Sequence, residues 1–374
     1  MRIGVLGGGQ LGRMLALAGV PMGHSFTFLD PGDAAPMAPV ATQIRADYHD
    51  PAGLDRLARA SDVVTWEFEN VGAGPLSRLA EDGVPVRPGP GSLEFKQDRL
   101  DEKLFFRRLG IPTTEFRAAA TRDEFDDALA ALGLPVVVKT RRQGYDGKGQ
   151  SVVEDRAGAE AAWQQLGGQP LLVECKVPFD RELSILAVRG ADGACDFWPL
   201  VENVHAEGIL RVSLAPIRGG TPELETRADR LIRSILESLE HVGVLALELF
   251  QVGDDLLANE MAPRVHNSGH WTIEGAVTSQ FANHVRAISG ARLGSCAPIG
   301  HAAMVNLVGR VPEPATLLAL DGASLHLYGK TPAPGRKLGH VTVMGRTPRE
   351  RDERLAALLR STDNTVLAPK PSII

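Results

Sequence analysis

The sequence predicts a mixed α/β and α+β fold in three parts, and three observations carry that prediction. Short apolar runs alternate with helix-like segments through the first 66 residues, the pattern of a parallel sheet with right-handed crossovers. A Pro/Gly cluster, Pro85-Val86-Arg87-Pro88-Gly89-Pro90-Gly91, then breaks the rhythm, and beyond it strands follow one another through turns, as antiparallel pairs do. From Ala291 onward the strands are short and β-rich, separated by Pro/Gly turns. The expected divisions are 1–92, 93–290 and 291–374.

In the first part, Met1 to Leu6, Ser25 to Leu29 and Asp62 to Trp66 read as strands, with helices over Gln10 to Val20 and near Pro51 to Ala60. In the middle part a helix is expected from about Gln97 to Leu109, with others near Thr121 to Leu132 and Glu223 to His241. The strands between them are Pro135 to Lys139, Gln150 to Glu154, Leu171 to Glu174, Leu183 to Val188, Cys195 to Leu200 and Ile209 to Leu214. The last part contributes Ala302 to Val308, Ser324 to Tyr328 and His340 to Met344, then a helix near Arg349 to Ser361 and a frayed tail.

A chain of 374 residues, 44% hydrophobic and 23% charged, can bury a sizeable core. Its 40 Lys plus Arg against 46 Asp plus Glu leave a net −6, which argues against a surface that coats nucleic acid. No secretory or membrane-spanning segment is legible. Cys175, Cys195 and Cys296 are odd in number and widely spaced, as expected of a reducing cytoplasm.

Several motifs suggest chemistry. Gly7-Gly8-Gly9-Gln10-Leu11-Gly12 fits a glycine-rich strand-to-helix turn, with Asp30 placed 18 residues beyond Gly12 where a ribose-binding acid would stand. That motif reads equally as dinucleotide binding or as close strand–helix packing. Glu67 and Glu69 stand at the end of the third strand, where ligands bind in open parallel sheets. Lys139 ends a strand, and the loop Gly144-Tyr145-Asp146-Gly147-Lys148-Gly149 before Gln150 suits a cover over a triphosphate, although it is no Walker loop. Glu248 and Glu260 flank the turn Gly253-Asp254-Asp255, and as a hairpin they face each other with Asn259 adjacent, a donor set for Mg2+. Arg264, His266, Asn267, Ser268 and His270 crowd seven residues, and the Pro/Gly setting favours a polar ligand-binding loop over a zinc site. Lys330, Arg336 and Lys337 sit in a turn-rich segment where three cations can surround one phosphate.

Taken together these segments resemble the ATP-grasp superfamily and, within it, the N5-carboxyaminoimidazole ribonucleotide synthetase family of purine synthesis. The carriers are Gly7 to Met14, Glu67 to Val71, Gly144 to Gln150, Asn259 to Trp271 and Pro334 to His340, in the family's order. Met261 and Val265 are mild variants of the pattern. The resemblance implies a three-part ATP-grasp architecture, with a lid subdomain of the middle part at about 113–175, and a homodimer. It also implies a reaction in which ATP and bicarbonate carboxylate 5-aminoimidazole ribonucleotide through carboxyphosphate, with Mg2+, for which Mn2+ can substitute. By that resemblance Arg99, Lys139, the loop Gly144, Tyr145, Asp146, Gly147, Lys148, Gly149 and Gln150, the linker Glu174, Cys175, Lys176 and Val177, and Glu182, His205, Asn259 and Glu260 meet ATP. Glu248 and Glu260 hold the metal. Glu67, Glu69, Tyr145, Arg264, His266, Asn267, Ser268, Lys330, Arg336 and Lys337 surround the ribonucleotide and bicarbonate, and Arg264, Lys148, Asp146 and His266 are the catalytic candidates. The resemblance turns the first glycine motif into a wall of the substrate site with no dinucleotide. The open alternatives are another ATP-grasp carboxylate-amine ligase or, more remotely, a dinucleotide-dependent oxidoreductase, with a non-catalytic nucleotide-binding or regulatory protein as the third class.

Overall fold

The computed structural model describes residues 1–142 and 149–362. The first sheet is built from β1 (Arg2–Leu6), β2 (Ser25–Leu29), β3 (Thr42–Ile44) and β4 (Val63–Trp66), all parallel in the order β3-β2-β1-β4. These strands are apolar on both faces because helices cover them, as parallel sheets require. The helix Pro51–Ala60 starts where it does because the Asp50 carboxylate accepts from the amides of Ala52 and Gly53, with Pro51 at the first helical position.

The second sheet is antiparallel and takes its strands from β5 (Phe116–Ala119), β6 (Val136–Thr140), β7 (Gln150–Val153) and β8 (Leu171–Cys175), in the order β5-β8-β6-β7. Helices Arg122–Leu132 and Arg156–Leu166 pack on one face through Phe125, Ala128, Ala159 and Leu166. Burial alternates along β6, so Val136, Val138 and Thr140 enter this core while Lys139 points away from it.

The third sheet continues through β9 (Arg181–Arg189), β10 (Cys195–Phe197), β11 (Val201–Ala206), β12 (Ile209–Ala215), β13 (Gly243–Val252), β14 (Asp255–Ala262), β15 (His301–Val308), β16 (Ala323–Leu327) and β17 (Lys337–Gly345). Its order is β14-β13-β9-β11-β12-β15-β17-β16, with β10 paired to β9 outside this path. The C-terminal strands therefore extend the central sheet: β15 pairs with β12 from Val212↔Val305 to Ala215↔Ala302, covering an edge that would otherwise be open. Helix Pro222–Ser238 covers one face of this sheet through Leu224, Ile232, Ile235 and Leu236. On the other face helix Gln280–Ser289 is buried nearly all round, because it also packs on helix Gln10–Gly19 of the first part.

Several elements differ from the sequence expectation. Helix Arg156–Leu166 was not expected, since its Ala-rich sequence has a weak apolar period; the Asp155 cap starts it. Helices Ala73–Glu81 and Gln280–Ser289 and strand β11 also escaped that reading. The strand expected over Cys195 to Leu200 stops at Phe197, after which Trp198 buries its ring and donates to the carbonyl of Thr278 at 3.0 Å.

Candidate active site

The site is organised on the β13–β14 hairpin. The turn at Gly253 and Asp254 pairs Val252 with Asp255, and this register leads to Leu249↔Ala258. Continued without a break, it would set Glu248 opposite Asn259. A one-residue bulge at Asn259 shifts the ladder, so Glu248 faces Glu260 instead. Core-facing positions record the same switch, with Leu256 and Ala258 buried before it and Met261 after it.

Each carboxylate has its own partner. Lys96 donates to Glu260 at 2.6 Å and lies 3.4 Å from Glu102, whose carboxylate also accepts from the Met261 amide at 2.7 Å. His266 Nε2 lies 3.1 Å from Glu248 Oε1. Burial works against charge on both glutamates. The Lys96, Arg99 and Lys139 cations nevertheless hold Glu260 well below the usual carboxylate range, and the His266 hydrogen bond leads in lowering Glu248. Burial drives the Glu102 carboxyl up to about 7, against the pull of Lys96.

Lys139 enters from the second sheet. Its ammonium lies 2.7 Å from Glu174 and 3.4 Å from the Asn259 side-chain oxygen. Glu174 is also 3.4 Å from Lys103, a buried lysine that donates to Thr113 Oγ1 at 2.9 Å and to the Ala258 carbonyl at 3.2 Å. Arg99 reaches the Thr140 carbonyl at 2.6 Å. The side chain of Glu174, first residue of the expected adenine linker, thus turns inward to the two lysines. Cys175 and Lys176 donate their amides to Glu115 and Pro135, and Val177 lies just past those bonds. Glu182 and His205 meet through a hydrogen bond from opposite sides of the β9–β11 pair.

On the side of the first sheet, Arg264 pairs with Glu69 at 2.9 Å. Glu67 is buried and accepts from the amides of Gly9 at 3.0 Å and Gly12 at 3.4 Å, while Asp30 accepts from Gly8 at 2.9 Å and from Tyr48 at 2.8 Å. The amides a dinucleotide phosphate would need are therefore taken by the chain's own carboxylates. A side-chain carbon on Gly9 would come within 2.5 Å of Glu67 Oε1, so this glycine serves close packing. Burial raises the Glu67 carboxyl, against the Gly9 and Gly12 amides and the charges of Arg264 and Lys330.

Asn267 exchanges side-chain amide bonds with Asn306 on β15, and Ser268 is fully buried behind His266. Lys330 is close enough to Glu67, and Lys337 to His205, for their charges to act there. Arg336 is exposed and caps the Thr331 carbonyl at 3.0 Å. Gly149 and Gln150 lead into β7. Gly144, Tyr145, Asp146, Gly147 and Lys148 lie outside the described residues. Lys96, Glu102 and Lys103 escaped sequence reasoning; the available signal was three charges where the helix and its lead-in run past Phe95, Phe105 and Phe106.

Comparison with known proteins decides the family. Residues 1–97 match the ribonucleotide synthetase preATP-grasp domain, 104–281 the ATP-grasp domain, and 302–354 the phosphoribosylaminoimidazole carboxylase C-terminal domain. The N5-carboxyaminoimidazole ribonucleotide synthase of Pseudomonas aeruginosa is 50% identical over 92% of this chain and 94% of its own. The chain belongs to the N5-carboxyaminoimidazole ribonucleotide synthase family. The crystal structure of the Thermus thermophilus synthetase superposes with a TM-score of 0.92 at 50% identity, covering 96% of this chain and 98% of that one. The Aspergillus clavatus synthase in complex with ADP and 5-aminoimidazole ribonucleotide superposes at 0.90 and 30% identity, covering 97% and 98%. This chain is accordingly an ATP-grasp ligase of purine biosynthesis that carboxylates 5-aminoimidazole ribonucleotide to its N5-carboxyamino form. Among the described residues no helix is long and apolar enough to cross a membrane.

Proposed function

We propose that the enzyme spends ATP on bicarbonate, forming carboxyphosphate and ADP, and delivers that carboxyl group to the exocyclic amine of the ribonucleotide. The observation that carries this reading is the facing pair Glu248 and Glu260, set between the Lys139–Lys96–Arg99 cations and the Arg264–Glu69 pair. Two ionised carboxylates fit Mg2+, which keeps waters and takes phosphate oxygens for its remaining positions. When bound, Mg2+ would supply charge neutralisation at the transferred phosphoryl group.

The chain's own residues account for the rest. Lys139 and Arg99 reach the triphosphate from the second-sheet side, and Lys148 and Asp146 of the glycine segment take the roles toward it that the family resemblance implies; a site that excludes water protects carboxyphosphate from hydrolysis. Val177 offers its backbone to adenine, while Glu182, steadied by His205, takes the ribose. Burial opposes a proton on His205, but the Glu182 hydrogen bond and charge raise its affinity for one, keeping the pair together. A role for Arg264 toward an anionic carboxyl donor is supported by its pairing with Glu69, which orients the guanidinium, and by its donation to the Val265 carbonyl at 2.9 Å. Lys330 and Lys337 form the phosphate end of the ribonucleotide site, and Arg336 joins them on the exposed rim. A cytoplasmic homodimer is the expected state, checked by light scattering at working concentration.

ADP release, followed with each substrate omitted in turn, tests the reading: it requires bicarbonate, and turnover without bicarbonate would refute it. Arg264→Ala should lower bicarbonate-dependent kcat at least 100-fold, about 3 kcal/mol, with ADP affinity kept. Wild-type kcat in that variant would remove Arg264 from the carboxyl-transfer step.

A further inference from the structure

A line of hydrogen bonds crosses the interior of the third sheet and ends on Glu248. Ser213 Oγ on β12 donates to Asn203 Oδ1 on β11 at 2.8 Å, and Asn203 Nδ2 donates to Ser184 Oγ on β9 at 2.9 Å. Ser184 Oγ donates to Ser268 Oγ at 2.8 Å. Ser268 Oγ is 2.9 Å from His266 Nδ1, and the Ser268 amide donates to the same nitrogen at 3.3 Å. That amide can only donate, so Nδ1 is the accepting nitrogen and the ring proton sits on Nε2, facing Glu248 Oε1 at 3.1 Å.

Every link runs the same way, from Ser213 toward the carboxylate, and every hydroxyl in it has spent its proton. Ser184, Ser213 and Ser268 are fully buried and Asn203 nearly so. Their neighbours along the strands, Leu183, Ile185, Val212 and Leu214, are aliphatic, and aliphatic residues would cost less to bury at the same places.

We infer that Ser184, Asn203 and Ser213 are positioning residues for the metal-binding carboxylate, acting by fixing the ring orientation and tautomer of His266. The inference rests on the reading of Glu248 as a metal ligand. It assigns His266 a task toward Glu248 and Ser268 a task behind His266. An outer partner that orients a ligand commonly changes metal affinity about 10-fold or more when removed.

The test uses the full-length enzyme with ADP and Mn2+, the metal bound being read by electron paramagnetic resonance, alongside the KM for 5-aminoimidazole ribonucleotide and the melting temperature. Ser184→Ala, which cuts the line at its centre, should weaken Mn2+ about 10-fold and leave that KM within twofold; Ser184→Thr, which restores the hydroxyl, should recover most of the affinity. Ser213→Ala, two links further out, should shift Mn2+ in the same direction and carries the test if Ser184→Ala fails to fold. Unchanged Mn2+ affinity in Ser184→Ala, or in Ser213→Ala where that variant decides, would overturn the inference; so would parallel loss of metal and ribonucleotide binding that Ser184→Thr does not repair. Glu248→Gln separates the two readings: if it binds Mn2+ as the wild type does, the metal assignment itself fails.

Discussion

Lys103 is a cation with almost no access to water, and its surroundings explain why that is tolerated. Burial depresses its proton affinity, while Glu174 supports the charge and Thr113 and the Ala258 carbonyl accept its protons. Glu174 consequently has two lysines, and only Lys139 is free to turn toward a triphosphate without leaving a buried carboxylate alone. Replacing Lys103 with Met should make Lys139 the sole counter-ion of Glu174 and tie it there. The expected outcome is an ATP KM raised about 10-fold with kcat changed less, and stability lowered by roughly 1–3 kcal/mol; steady-state kinetics and chemical denaturation check both. An ATP KM within twofold of wild type would show that Lys103 serves folding alone. Such a role is invisible in the linear sequence. Glu260 and Lys96 are 164 residues apart, and the charges that run past Phe95, Phe105 and Phe106 mark Lys96 and Lys103 without showing what they pair with. Glu248 and Glu260 were legible because a two-residue turn brings them together and both stand among aliphatic neighbours.

At the scale of the element, the hairpin shows how a correct pairing can follow from an incomplete argument. The midpoint between Glu248 and Glu260 predicts that they face each other, yet the turn is centred half a residue earlier and the bulge at Asn259 makes up the difference. Bulges leave little trace in composition, so sequence periodicity shows the strands and not the break in parity. The helices that follow Asp50 and Thr121 were legible, whereas Arg156–Leu166 was lost although Asp155 caps it, because its Ala-rich run has a weak apolar period. Gly253 supplies the turn, with φ +58° and open space where a side chain would begin. Gly253→Ala should therefore cost only the backbone term, about 1 kcal/mol, with kcat/KM within twofold; Gly253→Asn should cost less. A larger loss of activity than of stability in Gly253→Ala would mean that the turn, and not the bulge, sets the carboxylate register.

Across the whole molecule, one of the links between the first part and the central sheet runs through Val244 and two buried histidines. The Val244 amide donates to His284 Nδ1 at 3.1 Å, and the Val244 carbonyl lies 3.0 Å from His241 Nε2. From the other side, Thr65 of β4 meets His284 Nε2 at 3.0 Å and Ser92 meets His241 Nδ1 at 2.9 Å. His284 Nδ1 must accept, so a second proton would break the Val244 bond. Burial lowers His241 to about 4, with the Arg189 charge adding to it against the Val244 carbonyl, and lowers His284 to about 3, with His241 adding to it. In the unfolded chain both would take a proton near pH 6.5. The unfolded state thus binds more protons over the interval below 6.5, and stability falls as pH falls through it until the folded values are reached. Each histidine contributes a slope of about 1.4 kcal/mol per pH unit, so His284 alone accounts for roughly 2 kcal/mol between pH 7 and pH 5. His284→Gln can keep both hydrogen bonds, its oxygen accepting from Val244 and its amide donating to Thr65, without a site to protonate. Denaturation midpoints at pH 7 and pH 5 should converge in that variant by about this amount, and hydrogen exchange at β4 should lose part of its acid sensitivity. If the variant weakens between the two pH values as steeply as the wild type, the acid response lies elsewhere than in this fastening.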